Sequence, residues 1–208
     1  MEITSAAIWI NETFSAFDSG ITTAIHKLYE IAGGFFTPFF EFISILGKGG
    51  IFLLFLSFML ILFRRTRRFG TAMLIGISIG FLITNLFLKV FIARPRPYVD
   101  KNNIFYQFWL LVDQNVESDK SFPSGHTTAA FATMTPVFIL GKKRLKVVAL
   151  LFAVLMAVAR IYLVVHYPSD VLAGIIVGVF AGSLAVLITN TLPRKWFQRD
   201  LRVKKRTS

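Results

Sequence analysis

The chain has 208 residues, of which 55% are hydrophobic and 16% charged, with 23 phenylalanines and a mean hydropathy of +0.65. A chain this short and apolar has too little polar surface to cover itself in water, which excludes an ordinary soluble domain and makes lipid its solvent. Its net charge of +12 falls in a membrane pattern rather than a nucleic-acid-binding one, and the absence of cysteine excludes a disulfide framework and a thiolate metal site.

The N-terminus, "MEITSAAIWINETF", lacks a basic region followed by an apolar core and does not read as a cleavable signal peptide. Residues 3–27 are amphipathic. Segment 28–46, "LYEIAGGFFTPFFEFISIL", carries Glu30, Glu41 and Pro38 and reads either as a span or as a helix lying in the interface. Five runs follow that are apolar enough to cross a bilayer, which takes about 20 helical residues. They cover 49–63 (extended by Ile45 and Leu46), 70–92, 125–141, 145–165 and 169–192. The expected fold is all-α: a polytopic transmembrane bundle of six helices, five clear and one uncertain at the N-terminus. It forms a single membrane-embedded domain over 1–208.

Orientation follows from the connections. "RRTRR" at 64–68, "KKRLK" at 142–146 and the tail from Arg194 to Arg206 together hold 15 of the 23 basic residues. They fall on one side, expected to be cytoplasmic with the C-terminus. The connections at 94–122 and 160–170 then face outward. Residues 1–47 hold five acids and one lysine, which favours an external N-terminus with five spans, whereas a sixth span would put them inside.

Rare polar residues in membrane helices are functional candidates, and here they cluster at outward helix ends. In "KVFIARPRP", 89–97, Lys89 is near the end of a span and the prolines end the helix, so the arginines sit in a turned exit. In "PSGH", Ser124 is a good N-cap, Gly125 admits close backbone approach, and His126 lies in the first turn. A helix N-terminus of this kind suits a phosphate oxygen. In "RIYLVVHYPSD", Arg160 is embedded in an apolar run, and Asp170 follows His166 by four residues across a Pro turn. That carboxylate can accept Nδ1–H and free Nε2 as nucleophile or base. Each cluster alone also fits snorkelling, capping or a simple turn. Together they deliver three cations for a phosphate dianion and two histidines for nucleophile and acid. No metal site is expected: Asp170 is the only acid at the site besides the mixed-charge loop, and three cations would repel a metal.

The three clusters resemble the signature of the type 2 phosphatidic acid phosphatase superfamily, integral-membrane lipid phosphatases. The matching residues are Lys89…Arg96-Pro97, Pro123-Ser124-Gly125-His126 and Arg160…His166…Asp170, with Ala159 standing where the family usually has serine. The resemblance implies that His166 attacks phosphorus, Asp170 stabilises the resulting imidazolium, and His126 protonates the leaving oxygen. It implies that Lys89, Arg96, Arg160, Ser124 and Gly125 hold the phosphoryl group, with Arg94 second in rank. No cofactor is implied. The partners implied are a lipid phosphate and the membrane lipids, with no nucleic acid. The layout is most similar to bacterial phosphatidylglycerophosphate phosphatase. Undecaprenyl pyrophosphate or a broader phosphatidate and lysophosphatidate range is the alternative, and a lipid-phosphate transporter or binding protein the non-enzyme one. Gly174, Gly178 and Gly182, spaced by four, read as a helix-packing face, as do Gly76 and Gly80. Phe105, Tyr106, Phe108 and Trp109 read as interfacial anchors, and His26 as an interfacial or capping residue.

Overall fold

A computed structural model describes residues 3–112, 114 and 116–197. Asp113 of the 94–122 connection and the basic residues beyond Phe197 lie outside the described residues. Among those described, every regular element is helical.

Helix α1 (Ser5–Ala32) begins at Thr4, whose Oγ1 accepts the Ala7 N–H at 3.1 Å, and stops at Gly33 in the left-handed region at φ 56°. Its buried residues, Ala7, Ile10, Asp18, Thr22 and His26, recur at helical spacing and line one face. The partners of that face all lie at helix ends or in connections. Thr4 donates to the Ile92 carbonyl, Asn11 and Asp18 accept from Arg94, and His26 stacks on Phe108 at 3.8 Å. Helix α1 therefore runs along the level of those ends, as an amphipathic helix does in an interface. His26 is buried between Phe108 and Tyr29 rather than capping anything.

The doubtful segment 28–46 is divided between two helices. Residues 28–32 finish α1, and α2 (Thr37–Gly47) opens with Pro38 in its first turn. A short break at Lys48–Gly50, with Gly49 and Gly50 at φ 59° and 67°, leads into α3 (Ile51–Leu62). Together, Thr37–Leu62 make one span of 26 residues. Helix α4 (Arg67–Phe81) continues through a π-helical turn at Leu82–Leu88 into α5 (Lys89–Ile92), a second span of 26 residues. Ala93, at φ 50°, ends it before the Arg-Pro-Arg-Pro exit.

Helix α6 (Ile104–Val112) lies in the connection that follows Arg96. Its Phe105 and Trp109 are buried, Trp109 stacking on Tyr98 at 4.6 Å and Phe105 meeting Tyr167 edge-on at 5.3 Å. Two of the four aromatics expected to anchor at the interface thus pack inward against Tyr98 and Tyr167 instead. Helices α7 (Gly125–Leu140), α8 (Lys143–Tyr162) and α9 (Pro168–Thr191) complete the bundle, followed by a short α10 (Arg194–Phe197). Among the described residues, four stretches are long and apolar enough to cross a membrane: Thr37–Leu62, Arg67–Ile92, α8 and α9. Helix α7 is shorter, and packs among α4, α8 and α9 at the centre.

Glycines set the spacing at that centre. A Cβ on Gly178 would stand 2.6 Å from the Phe131 Cβ, one on Gly174 2.9 Å from the Ser124 carbonyl, and one on Gly76 2.4 Å from the Ala132 carbonyl. None of these fits, so α4, α7 and α9 approach as closely as backbones can. This holds the N-terminus of α7 against the start of α9. The basic runs 64–68 and 142–146 sit at the opposite end. Lys89 lies 22 residues beyond Arg67, about 33 Å of helix away.

Candidate functional site

The end of the bundle opposite the basic runs 64–68 and 142–146 collects the three clusters. A cavity of about 640 Å³ is walled by Lys89, Arg96, Gly125, His126 and His166. Its walls continue onto the apolar Leu54, Ile77, Phe81 and Leu82, and Phe81 and Leu82 are exposed on the outside of the bundle.

Lys89 reaches the cavity from the end of the π turn, a distortion that often marks functional sites. Arg96 stands beyond the two prolines. Its Nη1 donates to the Val165 carbonyl at 2.7 Å and to His166 Nε2 at 2.9 Å. Since a guanidinium can only donate, Nε2 is the acceptor and the proton of the neutral ring sits on Nδ1. Burial, then the charges of Arg96 and Arg160, hold His166 well below the usual histidine range, so the ring is neutral.

Behind the ring, Nδ1 lies 3.5 Å from both Asp170 Oδ2 and Ser121 Oγ. Asp170 is fully buried. Its Oδ2 accepts from Ser121 at 2.5 Å and from the Tyr167 N–H at 3.0 Å, and its Oδ1 accepts from Arg94 at 2.6 Å. Arg94 in turn donates to Asp18 at 2.8 Å, to Asn11 at 2.8 Å and to Ser169 at 2.7 Å, with its guanidinium 3.8 Å over the Tyr167 ring. Arg94 is therefore consumed behind His166 and does not face the cavity. Asp18 also accepts from the Ser169 N–H and hydroxyl, at 2.7 and 2.8 Å.

Two expected phosphate ligands stand behind and beside the residues that line the cavity. Ser124 is fully buried behind the cavity wall; its hydroxyl caps α7 and accepts from Thr127 Oγ1 at 3.0 Å, and its N–H donates to the Asp170 carbonyl at 3.0 Å. That N–H is thus committed to holding α7 on α9. Arg160 is buried beside the cavity, donating to Glu117 at 2.6 Å and to Ser44.

The loop before α7 supplies carboxylates that sequence reasoning set aside. Asp119 pairs with both Lys89 and Arg96, and Glu117 with Arg160. Burial pushes the Asp119 carboxyl upward, but the Lys89 hydrogen bond and the two cations overcome this and hold it below the usual range. All three cations expected to bind phosphate are thus neutralised by one acidic loop. No cluster of three metal-ligating side chains occurs among the described residues. Asp18, Ser121, Glu117 and Asp119 were all missed from the sequence: each lies far from its partner along the chain, with only burial of an acid in an amphipathic face as a signal.

The fold and site define a polytopic helical membrane protein with a cationic, two-histidine cavity at one end of its bundle. Residues 69–194 match the model of the PAP2 superfamily, and the chain belongs to that superfamily. An undecaprenyl-diphosphatase from Sulfolobus acidocaldarius is 29% identical over 69% of this chain and 66% of its own length. The crystal structure of LpxE from Aquifex aeolicus matches with a TM-score of 0.59 at 30% identity, covering 73% of this chain and 85% of that one. A PAP2-type phosphatidylglycerolphosphate phosphatase from Bacillus subtilis shares the fold at a TM-score of 0.69 and 24% identity, covering 91% of this chain and 92% of that one. The chain spans at most about two thirds of the length of the curated relatives it matches.

Proposed function

We propose that this chain is a metal-independent lipid phosphatase working through a phosphohistidine on His166. The observation that carries the reading is one cavity with Lys89, Arg96, His126 and His166 at its head and Leu54, Ile77, Phe81 and Leu82 along its side. A phosphate head fits the first set and a lipid tail the second, which opens between α3 and α4 toward the bilayer.

In the proposed reaction the phosphoryl group displaces the carboxylates of Asp119 and Glu117 from Lys89, Arg96 and Arg160, with the Gly125 N–H as a further donor. Nε2 of His166 forms a bond to phosphorus as the bond to the leaving oxygen breaks, and His126 gives that oxygen its proton. The imidazolium keeps its Nδ1 proton toward Asp170 and Ser121. Water then attacks phosphorus, passing a proton to His126, and the N–P bond breaks. Positioning and charge supply most of the catalysis in such a transfer. A binding or transport role alone would not need an imidazole with its tautomer fixed by Arg96 and backed by a buried carboxylate.

The basic runs support an outward-facing site with the C-terminus in the cytoplasm. Among substrates, phosphatidylglycerophosphate and undecaprenyl pyrophosphate both suit the cavity, and the family resemblance and the curated relatives support one each. Phosphate release from purified protein in detergent, with EDTA present, tests the reading across phosphatidylglycerophosphate, phosphatidate, lysophosphatidate and undecaprenyl pyrophosphate. Release from at least one is expected. Release from none, or strict metal dependence, would contradict it.

A further inference from the structure

Lys48 sits inside a membrane span. It lies 14 residues before the end of Thr37–Leu62, about 21 Å of helix from that end, within a hydrocarbon core about 30 Å thick. A lysine at such a depth is costly unless it faces a polar cavity or a partner. Lys48 makes no ion pair with another described residue, unlike Lys89, Arg96 and Arg160, and it lines the cavity that holds His126 and His166. Its position is fixed by the break between α2 and α3. The preceding residue, Gly47, is so close to the His126 ring that a Cβ would stand 2.7 Å from its Cδ2. Gly49 and Gly50, both at positive φ, break the helix immediately after without ending the span.

That location has a chemical meaning if His126 protonates the leaving oxygen, so this inference rests on the proposed function. The leaving side of a phosphate monoester is an uncharged alcohol. The leaving side of a diphosphate is a second phosphate, and Lys89, Arg96 and Arg160 are already engaged with the one being transferred. We propose that Lys48 binds the lipid-proximal phosphate of a lipid diphosphate and so sets the chain's preference for diphosphates over monoesters. In that reaction His166 Nε2 bonds the distal phosphorus and the bond from it to the bridging oxygen breaks. The bridging oxygen keeps the electron pair and takes the His126 proton, leaving as the lipid monophosphate beside Lys48. Water attack then breaks the N–P bond and releases orthophosphate, its proton returning to His126.

The test compares Lys48→Gln with the unaltered full chain in detergent, using farnesyl diphosphate and farnesyl monophosphate as probes. For the diphosphate, kcat/KM is expected to fall about 10- to 100-fold, as when a charged hydrogen bond is lost. The fall for the monophosphate should be at least about tenfold smaller, and Lys48→Arg should restore most of the diphosphate rate. Equal losses on both probes, or none on the diphosphate, would overturn the subsite. The unaltered chain gives a second readout that does not depend on the variant folding. Inorganic pyrophosphate should compete about tenfold better than orthophosphate, and equal or weaker competition counts against Lys48. If the unaltered chain takes only the monophosphate, the subsite fails and the phosphatase reading stands. If it hydrolyses neither, the subsite fails, and the four-lipid panel above decides the phosphatase reading separately.

Discussion

Asp18 of α1 and Asp170 of α9 grip the same guanidinium: Arg94 donates to one at 2.8 Å and to the other at 2.6 Å, with all three side chains buried. The relationship ties a helix outside the family-matched residues 69–194 to the carboxylate behind His166. Buried ion pairs add little over apolar packing, but removing one partner strands the others in a medium that cannot solvate them.

Asp18→Ala should therefore destabilise the protein by about 3–5 kcal/mol, the usual cost of breaking a buried pair. Thermal unfolding in detergent measures this. Asp18→Asn keeps the shape and some hydrogen bonds, and should lower kcat more than it raises KM, because it disturbs Arg94 and Asp170 rather than the cavity. A variant with unchanged stability and turnover would show that α1 is merely laid over the site.

Asp119 competes with phosphate for Lys89 and Arg96. Its side chain is 47% exposed, so solvent screening discounts the interaction to at most about 1 kcal/mol. Asp119→Asn should accordingly tighten inhibition by orthophosphate by up to about fivefold. Inhibition constants for the two forms check it; weaker inhibition in Asp119→Asn would mean that the carboxylate positions the cations instead of occupying them.

The depressed affinity of His166 for protons gives a pH prediction with a definite sign. In the unfolded chain the ring takes up its proton near pH 6.5, while in the fold burial and then Arg96 and Arg160 keep it neutral to lower pH. The unfolded state thus binds more protons in that window, so stability from this group rises with pH through it and is lost on acidification. For activity, the acid limb of kcat/KM should fall below pH 6.5, not at it. Arg96→Gln should move that limb upward as well as slow the reaction. An acid limb at or above the ordinary histidine value in the unaltered protein would contradict the assignment.

The sequence carried the site where its residues are neighbours in a motif. Pro123 to His126 reads as a capped helix start, and His166 with Asp170 as a turn across Pro168, because both depend on local spacing. The spans at 70–92, 145–165 and 169–192 were legible from hydropathy, and Gly174, Gly178 and Gly182 from their spacing. What pairs across the chain was not legible: Arg94 with Asp18, or Asp119 with Lys89, is fixed by how the helix ends assemble. Lys48 was hidden for a different reason. Ile45 and Leu46 extend the apolar run at 49–63 past it, but the run alone does not show that the glycine break between α2 and α3 sets it in the wall of the cavity beside His126.

The most direct test of the central claim is whether phosphorus becomes bonded to His166. Rapid acid-free quenching of the protein with a ³²P-labelled lipid phosphate should trap label on a peptide containing His166. The same experiment on folded His166→Ala should show no label and a loss of turnover of at least about 10⁴-fold. Near-normal hydrolysis by His166→Ala, or label on another residue of the unaltered protein, would contradict the account.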